Sequence, residues 1–228
     1  MYNEIINFKG FYNKDILEIF NIIKLFFDDS FIEKENYQEY KNPMAYQILA
    51  SKCYIKEKYI ESIYYATKAK DILLEEMNFK RYITVAKTLM ACQLCIGDYK
   101  QCNSTSINFL NSVKALNLTK KEIATAEDYY YASLLGLKQF NLIYNKLKNK
   151  DIFNMNKYTC FLISMYKIDK NLFSNYIQEN IDFNELDNED CEYINLLSLF
   201  LKNSDKKQID KFKNHSIMTG IIKILKNY

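Results

Sequence analysis

Apolar residues recur along this chain at the 3.6-residue period of an α-helix, in one segment after another. In "NKDILEIFNIIKLFFDD", Asn13 is placed to cap, and Ile16, Leu17, Ile19, Phe20, Ile23, Phe26 and Phe27 form a broad apolar stripe. The same periodicity predicts helices at about 31–41, 43–56, 59–76, 79–96, 99–117, 120–136, 139–149, 155–168, 171–180, 190–203, 205–213 and 216–227. Pro43 suits the first turn of its helix, where a missing N–H costs nothing, and Asn78 is a cap for the next long one. Short polar corners separate these segments, and no linker divides them.

Helices of such even length raise the question of a repeat. Placing "ILASKCYIKEKYIESIYYATKAKDIL" over "TLMACQLCIGDYKQCNSTSINFL" aligns Tyr59 with Tyr99, a period of 40, and Phe140 of "YYYASLLGLKQFNLIYNKL" follows after 41. Each unit is then a helix, a polar corner, an aromatic and a second helix. The aromatic begins the second helix and fills the wedge between the pair, while Ala66 and Ala69 let the backbones approach. At the corner "CIGDYKQC", Ile96 ends a helix, Gly97 turns the chain, Asp98 caps and Tyr99 enters the next helix.

On these residues the chain resembles tetratricopeptide repeats, whose corner carries a small residue, a polar one and Tyr, with small residues three and ten positions later. Ser62 and Cys102 stand where alanine is usual, and Glu57 replaces the corner glycine of the first unit. The stretch "AKDILLEEMNFKRYITVAKTLM" and the 40-residue spacing are also similar to the repeat domains of Gram-positive peptide-pheromone receptors of the Rap and PlcR kind. The upstream "EIFNIIKLFFDDSFIEKENYQEYKN" resembles the degenerate helix pair that opens that domain. This resemblance implies an all-α, right-handed solenoid whose concave face binds a short linear peptide. Its organisation would be one repeat domain over 1–228: an opening pair at 1–42, about five pairs over 43–213 and a closing helix at 214–228. The helix-turn-helix domain that those receptors carry has no counterpart in this sequence.

A helix pair cannot bury its apolar side alone, so pairs stack, and the first helix of each lines a groove. Positions two, five, nine and twelve of each unit are expected to face it. They are Met44, Gln47, Ser51 and Tyr54, then Thr84, Lys87, Ala91 and Leu94, then Thr125, Asp128, Ala132 and Leu135. The weaker units offer Lys157, Cys160, Ser164 and Lys167, then Cys191, Ile194, Asn195 and Ser198. Gln47 and Asn195 can donate to and accept from a peptide backbone, and Lys87, Asp128 and Lys157 can pair with its charges. The candidate peptide-binding set is Gln47, Ser51, Tyr54, Thr84, Lys87, Asp128, Lys157, Ser164 and Asn195. The plainer alternative is that these residues are merely solvated.

Composition narrows the chemistry. One proline and four glycines in 228 residues are too few for many strands and tight turns. The net charge of +3 rests almost wholly on lysine, Arg81 being the one arginine. Without the planar arginine fork a chain is poorly equipped to recognise nucleic acid, so no nucleic-acid partner is expected. No apolar run reaches a membrane span, and Glu4 and Asn7 interrupt what would be a signal core, so a cytoplasmic protein with reduced thiols is expected. "CQLC", with Cys92 and Cys95 and Cys102 beyond, has half the ligands of a zinc site, and His215 is the only histidine. A Cys–His nucleophile would need Cys160 or Cys191 beside His215, with no glycine-rich turn to serve it. The run Tyr129, Tyr130 and Tyr131 points in different directions around a helix and suits core and wall rather than base stacking. The basic end with Lys206, Lys207, Lys211 and Lys213 leads to an amphipathic last helix of Ile217, Met218, Ile221, Ile222 and Leu225. That helix is expected to close the stack rather than lie on a membrane or meet a partner, with dimerisation through it as the intermediate reading.

The expectation is therefore a binding module without enzymatic activity or cofactor: the peptide sensor of a quorum-sensing-type regulator. Its alternative is a constitutive scaffold for a partner protein.

Overall fold

The computed structural model describes residues 14–27, 40–149, 154–180, 188–203 and 218–226, and all regular structure among them is helical. The helices are α1 (Lys14–Phe27), α2 (Pro43–Ile55), α3 (Tyr59–Glu75), α4 (Phe79–Ile96), α5 (Tyr99–Asn111), α6 (Val113–Leu116), α7 (Lys120–Gly136), α8 (Phe140–Leu147), α9 (Met155–Ile168), α10 (Lys170–Asn180), α11 (Asn188–Asn203) and α12 (Thr219–Lys226). The segment expected at 205–213, most of that at 31–41, the capping Asn13, the lysine cluster 206–213 and His215 lie outside the described residues. No helix among the described residues is long and apolar enough to cross a membrane.

Tyr59, Tyr99 and Phe140 each open a helix, as the aromatic period requires. The corners before them share one backbone geometry. Glu57, Met77, Gly97, Asn117 and Lys138 all have positive φ, of 58°, 53°, 82°, 48° and 59°, at steps of 20, 20, 20 and 21 residues. In each corner the residue after it donates its N–H back across the turn: Lys58 to the Cys53 carbonyl at 2.8 Å, Asn78 to Leu73 at 2.8 Å, Asp98 to Gln93 at 2.9 Å, Leu118 to Val113 at 3.4 Å and Gln139 to Leu134 at 3.0 Å. This six-to-one bond around a left-handed residue satisfies carbonyls that a helix end leaves bare. Caps then start the next helix. Asn42 Oδ1 accepts from Met44 N–H, Asn78 Oδ1 from Arg81 N–H and Asp98 Oδ1 from Gln101 N–H, and Thr119 and Glu122 form a reciprocal capping box.

One helix expected to be continuous is not. The segment 99–117 breaks at Ser112 into α5 and α6, where the Ser112 hydroxyl donates to the Asn108 carbonyl at 2.9 Å, competing with the helix ladder.

The residues group into two compact units, one of 1–92 with 114–117 and the other of 93–113 with 118–228. In the first, α2 packs along α3, and Tyr46, Leu49, Ala50, Ala66, Ala69 and Leu73 form its centre with Val85 and Leu89 of α4. Ala66 and Ala69 are fully buried, and so is Ser62, which keeps the small volume of the usual alanine and donates its hydroxyl to the Ala50 carbonyl at 2.7 Å. The Tyr46 ring lies against Tyr40 edge-on at 5.7 Å and stacks on Tyr65 at 6.4 Å.

In the second unit α7 is central, meeting α5, α8, α9 and α12, while α9 also meets α8 and α10. Rings of Tyr144, Phe161 and Tyr176 tie α8, α9 and α10, stacked at 5.8 Å and then edge-on at 5.5 Å. The corner ring of Tyr99 lies on Gly136 of α7 so closely that a Cβ there would stand 2.5 Å from its Cγ. Only glycine leaves room for that approach.

Candidate functional site

Gln47, Ser51 and Tyr54 follow one another at steps of four and three on α2, so they share one helix face, as do Thr84 and Lys87 on α4. All five belong to the first unit. Ser51 and Thr84 are exposed, and Gln47, Tyr54 and Lys87 half-buried, with Met44 exposed beside them. The Gln47 side-chain amide donates to the Arg81 carbonyl at 3.4 Å, which brings α2 and the first turn of α4 together. This is an open surface carrying an aromatic ring, hydroxyls, an amide and a cation.

An open cleft of about 380 Å³ lies in the same unit, lined by Glu18, Lys41, Asn42, Pro43, Glu76 and Arg81. Glu18 is held there by accepting the Asn42 N–H at 2.7 Å. None of its residues stood among the sequence candidates. The signal that could have found it is the single arginine, since arginine in a lysine-rich chain marks a place where fork geometry matters.

The remaining candidates belong to the second unit, and their surroundings differ. Asp128 is buried; Asn154 and Asn156 donate their side-chain amides to its Oδ2 at 3.0 and 3.2 Å, and its buried Oδ1 has no hydrogen-bond partner among the described residues. Burial pushes the Asp128 carboxyl above the ordinary carboxylate value, opposed by the two asparagine bonds and by Lys157. Lys157 is paired with Glu127. Ser164 is wholly buried with its hydroxyl donating to the Cys160 carbonyl at 2.7 Å, so it offers nothing to a ligand at the surface. Asn195 is exposed on α11. Of the neighbouring positions counted onto the same face, Ala91, Leu94, Ala132, Leu135, Cys160 and Ile194 are all buried.

The cysteines sit in apolar surroundings. Cys92 is buried, its thiol donating to the Ser62 hydroxyl at 3.2 Å, and Cys95 is half-buried. Burial pushes the Cys102 thiol up to about 12, in spite of the Ser106 bond that favours its thiolate, and burial likewise raises Cys160. A thiol held protonated is a poor nucleophile and a poor metal ligand. Among the described residues no three His, Cys, Asp or Glu side chains converge on a point where a metal ion would fit. In the tyrosine run, Tyr131 is in the core and Tyr130 is half-buried with Lys146 Nζ 5.7 Å from its ring centre. No family model, curated protein or solved structure matches the chain.

Proposed function

We propose that this protein is a tetratricopeptide-type, right-handed helical-repeat module that binds a short linear peptide and performs no chemistry. The observation that carries the proposal is the left-handed corner repeated every 20 or 21 residues, the regular spacing expected of successive equivalent helix pairs. The face of Gln47, Ser51, Tyr54, Thr84 and Lys87 is the binding surface. Amide and hydroxyl groups there pair with peptide backbone, Tyr54 supplies apolar area, and Lys87 selects an acidic side chain or a carboxylate terminus. As a sensor of the quorum-sensing kind, working in the cytoplasm, the module would hold two states of unequal affinity for the peptide.

Titration of the full chain with a panel of short synthetic peptides, read by calorimetry and melting temperature, tests this. Saturable binding weakened at least about tenfold by Lys87→Glu is the expected result. A peptide that binds parent and variant alike does not lie on this face. The exposed Ile55 and Ile60, both beside the Glu57 corner, favour a second reading, a scaffold for a larger protein. A scaffold would ignore every short peptide and saturate only with a folded partner.

A further inference from the structure

The face made by the first helices of the second unit is not empty. Ser51 of α2 is exposed, whereas Ala132, its equivalent two repeats on, is completely buried. Leu94 and Leu135, the equivalents of Tyr54, are buried as well. The helix that meets this face is α12. It packs against α7; Gly220 lies so close to Leu94 that a Cβ there would stand 2.3 Å from Leu94 Cδ2 and 3.2 Å from its Cβ. Met218, just before α12, donates its N–H to Asn156 Oδ1 of α9 at 3.0 Å. Met218 and the helix that follows it thus touch α4, α7 and α9, the first helices of three successive pairs.

Two features mark α12 as an occupant rather than a wall. It is amphipathic, with Ile221, Ile222, Ile224 and Leu225 buried and Thr219 and Lys226 exposed, the pattern of a helix laid into a groove, and at eight residues it is too short to be helical without the surface beneath it. The surface beneath is imperfectly satisfied by it. Asn156, which accepts from Met218, also donates to Asp128, and the other Asp128 oxygen is buried without a partner among the described residues. A face evolved only to hold α12 would be expected to carry an apolar residue there, since an orphaned buried carboxylate oxygen is costly.

We propose that this face of the second unit is a binding site for a short apolar helical segment with a glycine over Leu94. The chain's own α12 occupies it in cis, and a partner segment of the same pattern, with a cationic or N–H donor near its start to meet Asp128, displaces α12. The inference rests on the helical-repeat reading above but uses a different unit and a different ligand chemistry. Both partners of the contact are known, so the test needs no unidentified ligand.

The probe is a fluorescent peptide of residues 216–228, followed by anisotropy against the full-length chain and its Gly220→Leu variant. A leucine at 220 cannot sit on Leu94, so α12 lifts off and the peptide binds the variant at least about tenfold more tightly than the parent, whose competent fraction is small. The same peptide carrying Gly220→Leu binds neither. Leu225→Asp in the full chain, which removes α12 from its other end, opens the site in the same way and guards against a defect peculiar to position 220. Equal binding to parent and variants, or binding to none, overturns the proposal. So does loss of helical content far beyond eight residues in both variants, which would make α12 a fixed part of the core. If peptide 216–228 fails while short peptides still saturate the parent through Lys87, this inference falls and the peptide-binding function stands. The reverse outcome separates them the other way.

Discussion

The repeated corner makes a quantitative demand on its own sequence. Glu57, Met77 and Lys138 hold φ values of 58°, 53° and 59°, a conformation in which Cβ crowds the carbonyl that follows, at roughly 1–2 kcal/mol for an L residue. Glycine escapes that crowding but loses more freedom on folding, by about 0.5–1 kcal/mol. Each of Glu57→Gly, Met77→Gly and Lys138→Gly should therefore stabilise the protein by about 0.5–1 kcal/mol, or about 1–4 °C in melting temperature for a domain of this size. Asn117 should gain less from the same change, because asparagine tolerates the left-handed region. Gly97→Ala reverses the two contributions. An added Cβ there meets only Tyr99 Cζ and Oη, both at 3.8 Å, an ordinary contact, so the expected loss of about 0.5–1 kcal/mol is purely a backbone effect. Urea denaturation followed by far-ultraviolet circular dichroism reads each change as a shifted midpoint at constant slope. If unfolding resolves into two steps, Glu57→Gly and Met77→Gly should move one, and Lys138→Gly and Gly97→Ala the other, following the unit each belongs to. A glycine at 57 or 138 that leaves the midpoint unchanged, together with a neutral alanine at 97, would mean that these corners are not left-handed in solution.

Gly136→Ala gains helix propensity of at most about 1 kcal/mol, yet it drives a Cβ to 2.5 Å from the Tyr99 ring, so a net loss of about 1–3 kcal/mol is expected. In a double-mutant cycle Tyr99→Ala should erase most of that loss, and additive effects would show that the ring does not lie on Gly136. Asp128→Asn keeps an acceptor for Asn154 and Asn156 but removes a carboxyl that burial has pushed above its ordinary 3.8. A raised native value means that the folded protein holds the proton more tightly, so stability from this group is full below the unfolded value and is lost as pH rises through the native one. The variant should melt higher than the parent at neutral pH and lack that part of the acid-side pH dependence. Parallel melting-temperature-against-pH curves would refute the burial account.

The helices and their aromatic starts were legible because both are local: a stripe at period 3.6 and a ring every 40 or 41 residues write themselves into adjacent positions. Gly97 was legible as a turn for the same reason. Glu57, Met77 and Lys138 were not, since nothing in a glutamate, a methionine or a lysine announces positive φ; the conformation is imposed by bonds such as Lys58 to Cys53 and Gln139 to Leu134, which close around whatever residue stands there. The break at Ser112 is not written in the periodicity, because its cause is a hydroxyl turned back on the Asn108 carbonyl, a choice that serine makes or declines according to context. The candidate site divides on a similar line. Counting positions two, five, nine and twelve places Ser51, Ala91 and Ala132 on the same face of successive units, and treats them alike. Ser51 is open while Ala132 is sealed, and the helix of residues 219–226 that packs against α7 lies some ninety positions away in the chain from Ala132. A repeat period states which side of each helix is equivalent to which. It carries no information about a distant segment whose apolar stripe says only that one face will be buried, and not where. Asp128 shows the consequence: counted as a charge facing a ligand, it is a buried acid joined to Met218 through the Asn156 side chain, and a reversal to lysine there would break the second unit rather than probe its specificity.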